Sequence, residues 1–102
     1  MGEDGHTASI FAGPDLQAAL EAPKARRAVG VMPDPLPDNA PVARVTLTRA
    51  AILGARAITL SITGQEKRDV LEQAIADGHS SKLPIGRVLA EAEQPIDIHW
   101  CP

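Results

Sequence analysis

Aromatic side chains are nearly missing from this chain: Phe11 and Trp100 make up 2% of its 102 residues. A core without them must be built from Ala, Val, Ile and Leu, which suits closely packed layers of helix and strand. Cysteine is as scarce. The single Cys101 excludes an internal disulfide framework and a thiolate zinc cluster, and a lone thiol reads as a small hydrophobe. No apolar run reaches the roughly 18 residues that a membrane-crossing helix needs. The charged-then-apolar pattern of a secretory leader is lacking, so the expected location is cytoplasmic. A basic excess is lacking too. Ten Lys and Arg stand against 13 Asp and Glu, interspersed, for a formal net charge of −3. A nucleic-acid binder would need a basic stripe to neutralise phosphates, so neither nucleic acid nor membrane is an expected partner.

What is present suffices for one small domain over residues 1–102, with 44% apolar residues to build its core. The opening 14 residues read as a loop with at most a turn of helix near Thr7–Phe11. "DLQAALEA" (15–22) reads as a short helix with Asp15 at its start and Pro23 at its stop. "RAVGVM" (27–32) is a short strand. "PDPLPDNAP" (33–41) holds four prolines and reads as a rigid extended loop. "VARVTLT" (42–48) is a strand, "RAAILGA" (49–55) a short helix, and "RAITLSIT" (56–63) a third strand with a buried pattern. The strongest helix is 64–78. Thr63 and Glu66 have capping-box spacing, Val70, Leu71, Ala74 and Ile75 share an apolar face, and Gly78 ends it. A weaker helix begins at Pro84, and "IDIHW" (96–100) alternates as a last strand. Strands alternating with helices predict an α/β fold with a mostly parallel, doubly wound sheet, whose ligands sit beyond the carboxyl ends of the strands.

Lys67 falls at such a place, in the first turn of the 64–78 helix. A cation there opposes the helix dipole, a conflict that a bound anion such as phosphate would remove. The plainer reading is a solvated lysine paired with Glu66 or Asp69. Arg44, inside an apolar strand, reads either as an edge residue reaching for water or as a group aimed at an anionic ligand. In the opening "MGEDGHTASIFAG", glycines flank an acidic pair, and the freed backbone permits close approach to a ligand. A histidine such as His6 exchanges a proton near neutral pH and could act as a general base on water, with Asp4 beside it. The alternative is a polar loop with a surface histidine. His79, in a second Asp-Gly-His string, reads as a loop residue, and His99 as a structural one. No ligand spacing for a metal is present.

This opening stretch closely resembles the "GMGEDGHTASLFPG" segment of 6-phosphogluconolactonases, and "ARVTLT", "TGQEKRDVL", "LPIGRVL" and a terminal strand near a Trp follow in that family's order. Glucosamine-6-phosphate deaminases and isomerases share the Asp-Gly-His core, but "TASIFAG" sides with the lactonases. The resemblance implies the C-terminal part of a Rossmann-like domain. It implies hydrolysis of 6-phosphoglucono-1,5-lactone to 6-phosphogluconate, without metal or redox cofactor. Carried onto this chain, His6 is the base that activates water, Asp4 and Gly5 shape the loop around the sugar, and Lys67 and Arg44 hold the phosphate or another polar part of the substrate. Ala12 stands where the family often has Pro. Family members run to more than twice this length, and their "SGG-TP"-like phosphate loop and "DER" segment do not occur here. The resemblance therefore implies a fragment, or a start inside the catalytic loop, that self-associates or pairs with a missing half. The alternatives are a non-catalytic sugar-phosphate-binding or assembly remnant, and an amino-sugar-phosphate isomerase or deaminase.

Overall fold

Among the described residues, two separate two-stranded sheets organise the chain, one antiparallel and one parallel. The structure, a computed structural model, describes residues 1–34 and 41–102. The elements are α1 (Leu16–Glu21), β1 (Ala28–Val31), β2 (Arg44–Leu47), α2 (Arg49–Leu53), β3 (Ile58–Thr63), α3 (Gln65–Asp77), α4 (Pro84–Leu89) and β4 (Ile96–Cys101), with a 3-10 turn at Gly78–Ser80 between α3 and α4. The expected proline-rich loop falls mostly at 35–40, outside the described residues.

β3 and β4 pair in parallel, from Ile58 against Ile96 to Thr63 against Cys101. The chain between them passes through α3 and α4, the kind of helical crossover that parallel pairing requires. β1 and β2 pair antiparallel, Ala28 opposite Leu47 and Val31 opposite Arg44. Here the expectation of a mostly parallel sheet is corrected. Among the described residues of the connection, 32–34 and 41–43, no helix occurs, and β2 runs back antiparallel to β1. β3 also alternates: Leu60 and Ile62 pack toward α3, while Thr59, Ser61 and Thr63 are exposed. A parallel sheet covered on both faces would read as a continuous apolar run.

Among the described residues the core forms two clusters that meet along α4. Val88 joins Ile10, Ala19 and Leu20, and Ile85, one turn back, joins Ile62, Leu71 and Ala74. α4 is thus the central element, although its six residues make it one of the shortest helices. Close packing depends on Gly86, where a Cβ would lie 2.5 Å from the Ser81 side chain and 3.0 Å from the Ala74 carbonyl oxygen. α3 starts at a Gly64 N-cap with φ of 89°, without a side-chain cap, so the Thr63–Glu66 capping box does not form. The strand-to-helix turn needs a positive φ that only glycine adopts freely, and this places Thr63 in the strand, opposite Cys101. β4 holds the turn instead: Gly64 N–H donates to the Cys101 carbonyl at 2.9 Å, and the Trp100 indole donates to the Gly64 carbonyl at 2.8 Å.

Candidate active site

The opening loop closes on itself before it reaches any regular element. Gly2 N–H donates to the His6 carbonyl at 2.9 Å, and Gly5 N–H to the Gly2 carbonyl at 3.0 Å. A Cβ at Gly2 would land on the His6 ring and the Asp4 carboxylate. Gly5 is buried with φ of 82°, and a Cβ there would lie 2.9 Å from Leu83 Cβ. Its carbonyl accepts from Ile85 N–H at 2.8 Å, which ties the loop to the first turn of α4. Both glycines therefore serve close approach within the chain itself, Gly2 to the His6 ring and Gly5 to Leu83.

Asp4 binds His6 twice. One carboxylate oxygen accepts the His6 backbone N–H at 3.0 Å and lies 2.5 Å from ring Nδ1. Burial pushes the Asp4 carboxyl up. The backbone bond from His6, the side-chain bond and the imidazole charge together outweigh this and hold it below the ordinary carboxylate value. An ionised carboxylate only accepts, so Nδ1 carries the proton and Nε2 is the basic nitrogen of the neutral ring. The His6 side chain is 29% exposed, open enough for a water or substrate to reach it.

Beyond His6 the loop docks on β2. Thr7 and Ile10 form an isolated antiparallel bridge around Ala8, whose φ is 51°. Ile10 is fully buried. Ser9 N–H donates to Thr46 Oγ1 at 2.9 Å, and the Arg44 guanidinium carbon lies 5.0 Å from the Phe11 ring centroid. Phe11 in turn stacks on His6, centroids 4.3 Å apart and planes at 23°. Arg44 is therefore half-buried on the inner face of β2, over an aromatic ring, and comes to the His6 loop through Phe11.

Lys67 stands at the carboxyl ends of β3 and β4, where the sequence places it. It lines a cleft of about 400 Å³ with Met1, Ser61, Thr63, His99 and Cys101. The pairing with Glu66 or Asp69 of the plainer reading does not form: Asp69 accepts from Gln65, and among the described residues Lys67 makes no ion pair. His6 is not in the wall of this cleft, and Met1 is the link between the two places. The Met1 amino group is held below its ordinary pKa first by burial and then by the Lys67 charge, while Asp4 acts in the opposite sense. The structure thus brings Asp4, Gly5, His6 and Arg44 together around one loop, with Lys67 near its start.

The sequence alone points to neither Phe11 nor His99 as a site residue. For Phe11 the available signal is that it is the only phenylalanine and sits inside the motif. His99, expected to be structural, is exposed and lines the Lys67 cleft, because position 99 faces outward in β4 beside Ser61. His79 lies in the turn after α3, as expected of a loop residue, 3.3 Å from Glu91. Among the described residues no group of three or more His, Cys, Asp or Glu side chains is placed to hold a metal ion. No helix there is long and apolar enough to cross a membrane.

The family model for glucosamine-6-phosphate isomerases and 6-phosphogluconolactonase matches residues 1–100. A 6-phosphogluconolactonase of Pseudomonas putida is 37% identical over all of this chain and 40% of its own length. One from Mesorhizobium japonicum is 40% identical over all of this chain and 41% of its own. The crystal structure of a 6-phosphogluconolactonase from Shewanella baltica superposes with a TM-score of 0.81 at 36% identity, over the whole of this chain and 42% of that one. The chain thus spans about two fifths of the length of the relatives it matches. With its α/β architecture, its parallel pair and its glycine-framed histidine loop, the chain belongs to the glucosamine-6-phosphate isomerase/6-phosphogluconolactonase family.

Proposed function

We propose that this chain carries the histidine-bearing part of an active site that hydrolyses 6-phosphoglucono-1,5-lactone to 6-phosphogluconate. The observation that carries the reading is the Asp4–His6 pair: a carboxylate fixing Nδ1 leaves Nε2 as the base on a partly open ring. His6 Nε2 takes a proton from water as the oxygen attacks the lactone carbonyl. The tetrahedral intermediate collapses with cleavage of the bond to the ring oxygen, which receives the proton back from His6. One water is consumed and one carboxylic acid is formed, so no electrons are transferred. Lys67 offers its ammonium to the phosphate at the strand carboxyl ends, Arg44 adds positive potential beside the loop, and Gly5 with Asp4 shapes the approach of the ring. The names of the relatives support the substrate class.

Because the relatives are longer, the proposal includes a further portion of the same fold to complete the pocket and the Rossmann-like sheet, of which this chain would be the C-terminal part. The outer face of β1–β2 supports such a covering layer. Val45 is 75% exposed and Leu47 55%, opposite Gly30 and Ala28, with Met32 exposed nearby. A cytoplasmic setting belongs to the same proposal. The test is hydrolysis of the phosphorylated lactone by this chain, alone and mixed with the remaining portion of a lactonase fold. His6→Ala should lower turnover by at least about 10²-fold, the lower scale of general-base catalysis. No hydrolysis in either arm, or equal rates for His6→Ala, would overturn the reading. Ammonia release from glucosamine 6-phosphate would replace it with the deaminase chemistry.

A further inference from the structure

We propose that Phe11 is a positioning residue for the His6 imidazole. The inference rests on the reading of His6 as the base, and it begins with how weakly the ring is held without Phe11. The Asp4 bond lies in the imidazole plane, and the Asp4 side chain is 61% exposed. A carboxylate contact that open to water is a loose restraint. It also leaves the ring free to rock about the axis through Nδ1. Phe11 supplies the missing direction: its ring lies face to face with the imidazole at 4.3 Å and 23°, so it restrains motion along the ring normal. An in-plane bond and an out-of-plane stack together fix where Nε2 points.

Phe11 is itself held by β2. Ser9 N–H bonds to Thr46 Oγ1, and the Arg44 guanidinium sits over the Phe11 ring, so positions 9 and 11 of the loop match positions 46 and 44 of the strand. Core packing does not account for the ring. The adjacent Ile10 is fully buried and joins Ala19, Leu20 and Val88, whereas Phe11 is only half-buried and belongs to neither core cluster. The chain thus divides the work between neighbours: Ile10 anchors the loop and Phe11 aims the histidine.

The test compares the whole chain with Phe11→Leu and Phe11→Tyr by nuclear magnetic resonance, with the amide spectrum of α3 as the check on folding. In the unaltered chain the His6 ring protons should show the upfield displacement of a stacked ring, and Hδ1 should exchange slowly. Phe11→Leu should abolish the displacement and speed Hδ1 exchange by about tenfold, the scale of one aromatic pair, and Phe11→Tyr should restore both. Hδ1 exchange unchanged in Phe11→Leu, or not restored in Phe11→Tyr, overturns the proposal. The two readings fail separately. If Phe11→Leu loosens the ring in a chain that hydrolyses no lactone, the proposal stands and the lactonase reading falls. If turnover and Hδ1 exchange are both indifferent to Phe11→Leu, the reverse holds.

Discussion

A single carboxylate oxygen of Asp4 meets both the backbone N–H and the ring Nδ1 of His6, at 3.0 and 2.5 Å. The same contact sets the shape of the loop and the tautomer of the ring, so loop order and ring chemistry share one titrating group.

That coupling gives the loop an acid-sensitive edge. The Asp4 carboxyl is held below its ordinary value by its bonds to His6, against the upward push of burial. A carboxyl whose folded pKa is depressed stabilises the fold above its unfolded pKa and loses that contribution as pH falls through the lowered, folded one. Protection of the His6 amide, the slowing of its exchange relative to an unstructured chain at the same pH, should therefore fall below about pH 4, where free aspartate titrates. In Asp4→Asn this pH dependence should vanish and exchange should be faster at neutral pH. Hydrogen exchange from pH 2 to pH 7 on both chains checks it.

Two small-residue exchanges in the same loop should have opposite signs. Gly5→Ala combines a positive φ with a Cβ 2.9 Å from Leu83 Cβ. It should cost about 1–3 kcal/mol. Ala8 already sits at φ 51°, a region that strains any residue with a Cβ. Ala8→Gly should be neutral to stabilising by up to about 1 kcal/mol. Urea midpoints of the two variants measure both, and a destabilised Ala8→Gly would count against the backbone described here.

Thr48 holds the junction of β2 and α2. Fully buried, it donates from Oγ1 to the Arg26 carbonyl at 2.8 Å and accepts Ala51 N–H at 3.2 Å as the N-cap of α2. Thr48→Val keeps the shape and removes both bonds. The expected loss is about 1–2 kcal/mol, read as a lowered urea midpoint at constant m value. Thr48→Ser, which keeps the hydroxyl, should lose less.

Much of the local structure is legible in the sequence because short-range chemistry decides it. Pro23 ends α1, Gly78 ends α3 through its N–H to the Ala74 carbonyl, and the alternation of 96–100 gives β4. Asp4 and His6 are legible as a pair because two residues of loop cannot take them far apart. What escapes depends on long-range placement. The antiparallel pairing of β1 with β2 is a direction in space, which composition and alternation do not reveal. Asp15 sits at the N-cap of α1, yet its carboxylate accepts Met32 N–H, 17 positions away, and makes no side-chain cap. Arg44 offers two readings in sequence and has a third place in space, over Phe11. The Gly64 cap moves the start of α3 one residue past Thr63 and no capping box forms, because a turn that needs positive φ outranks a spacing rule.

The central claim is that the His6 loop and the Lys67 turn serve one phosphorylated ligand. Titrating 6-phosphogluconate into the whole chain, with the His6 and Lys67 side-chain resonances followed together, tests it most directly. Both sets of resonances should move along a single binding curve, and Lys67→Ala should abolish the movement of His6. If only one of them responds, or the two follow different curves, His6 and Lys67 do not share a ligand and the account fails.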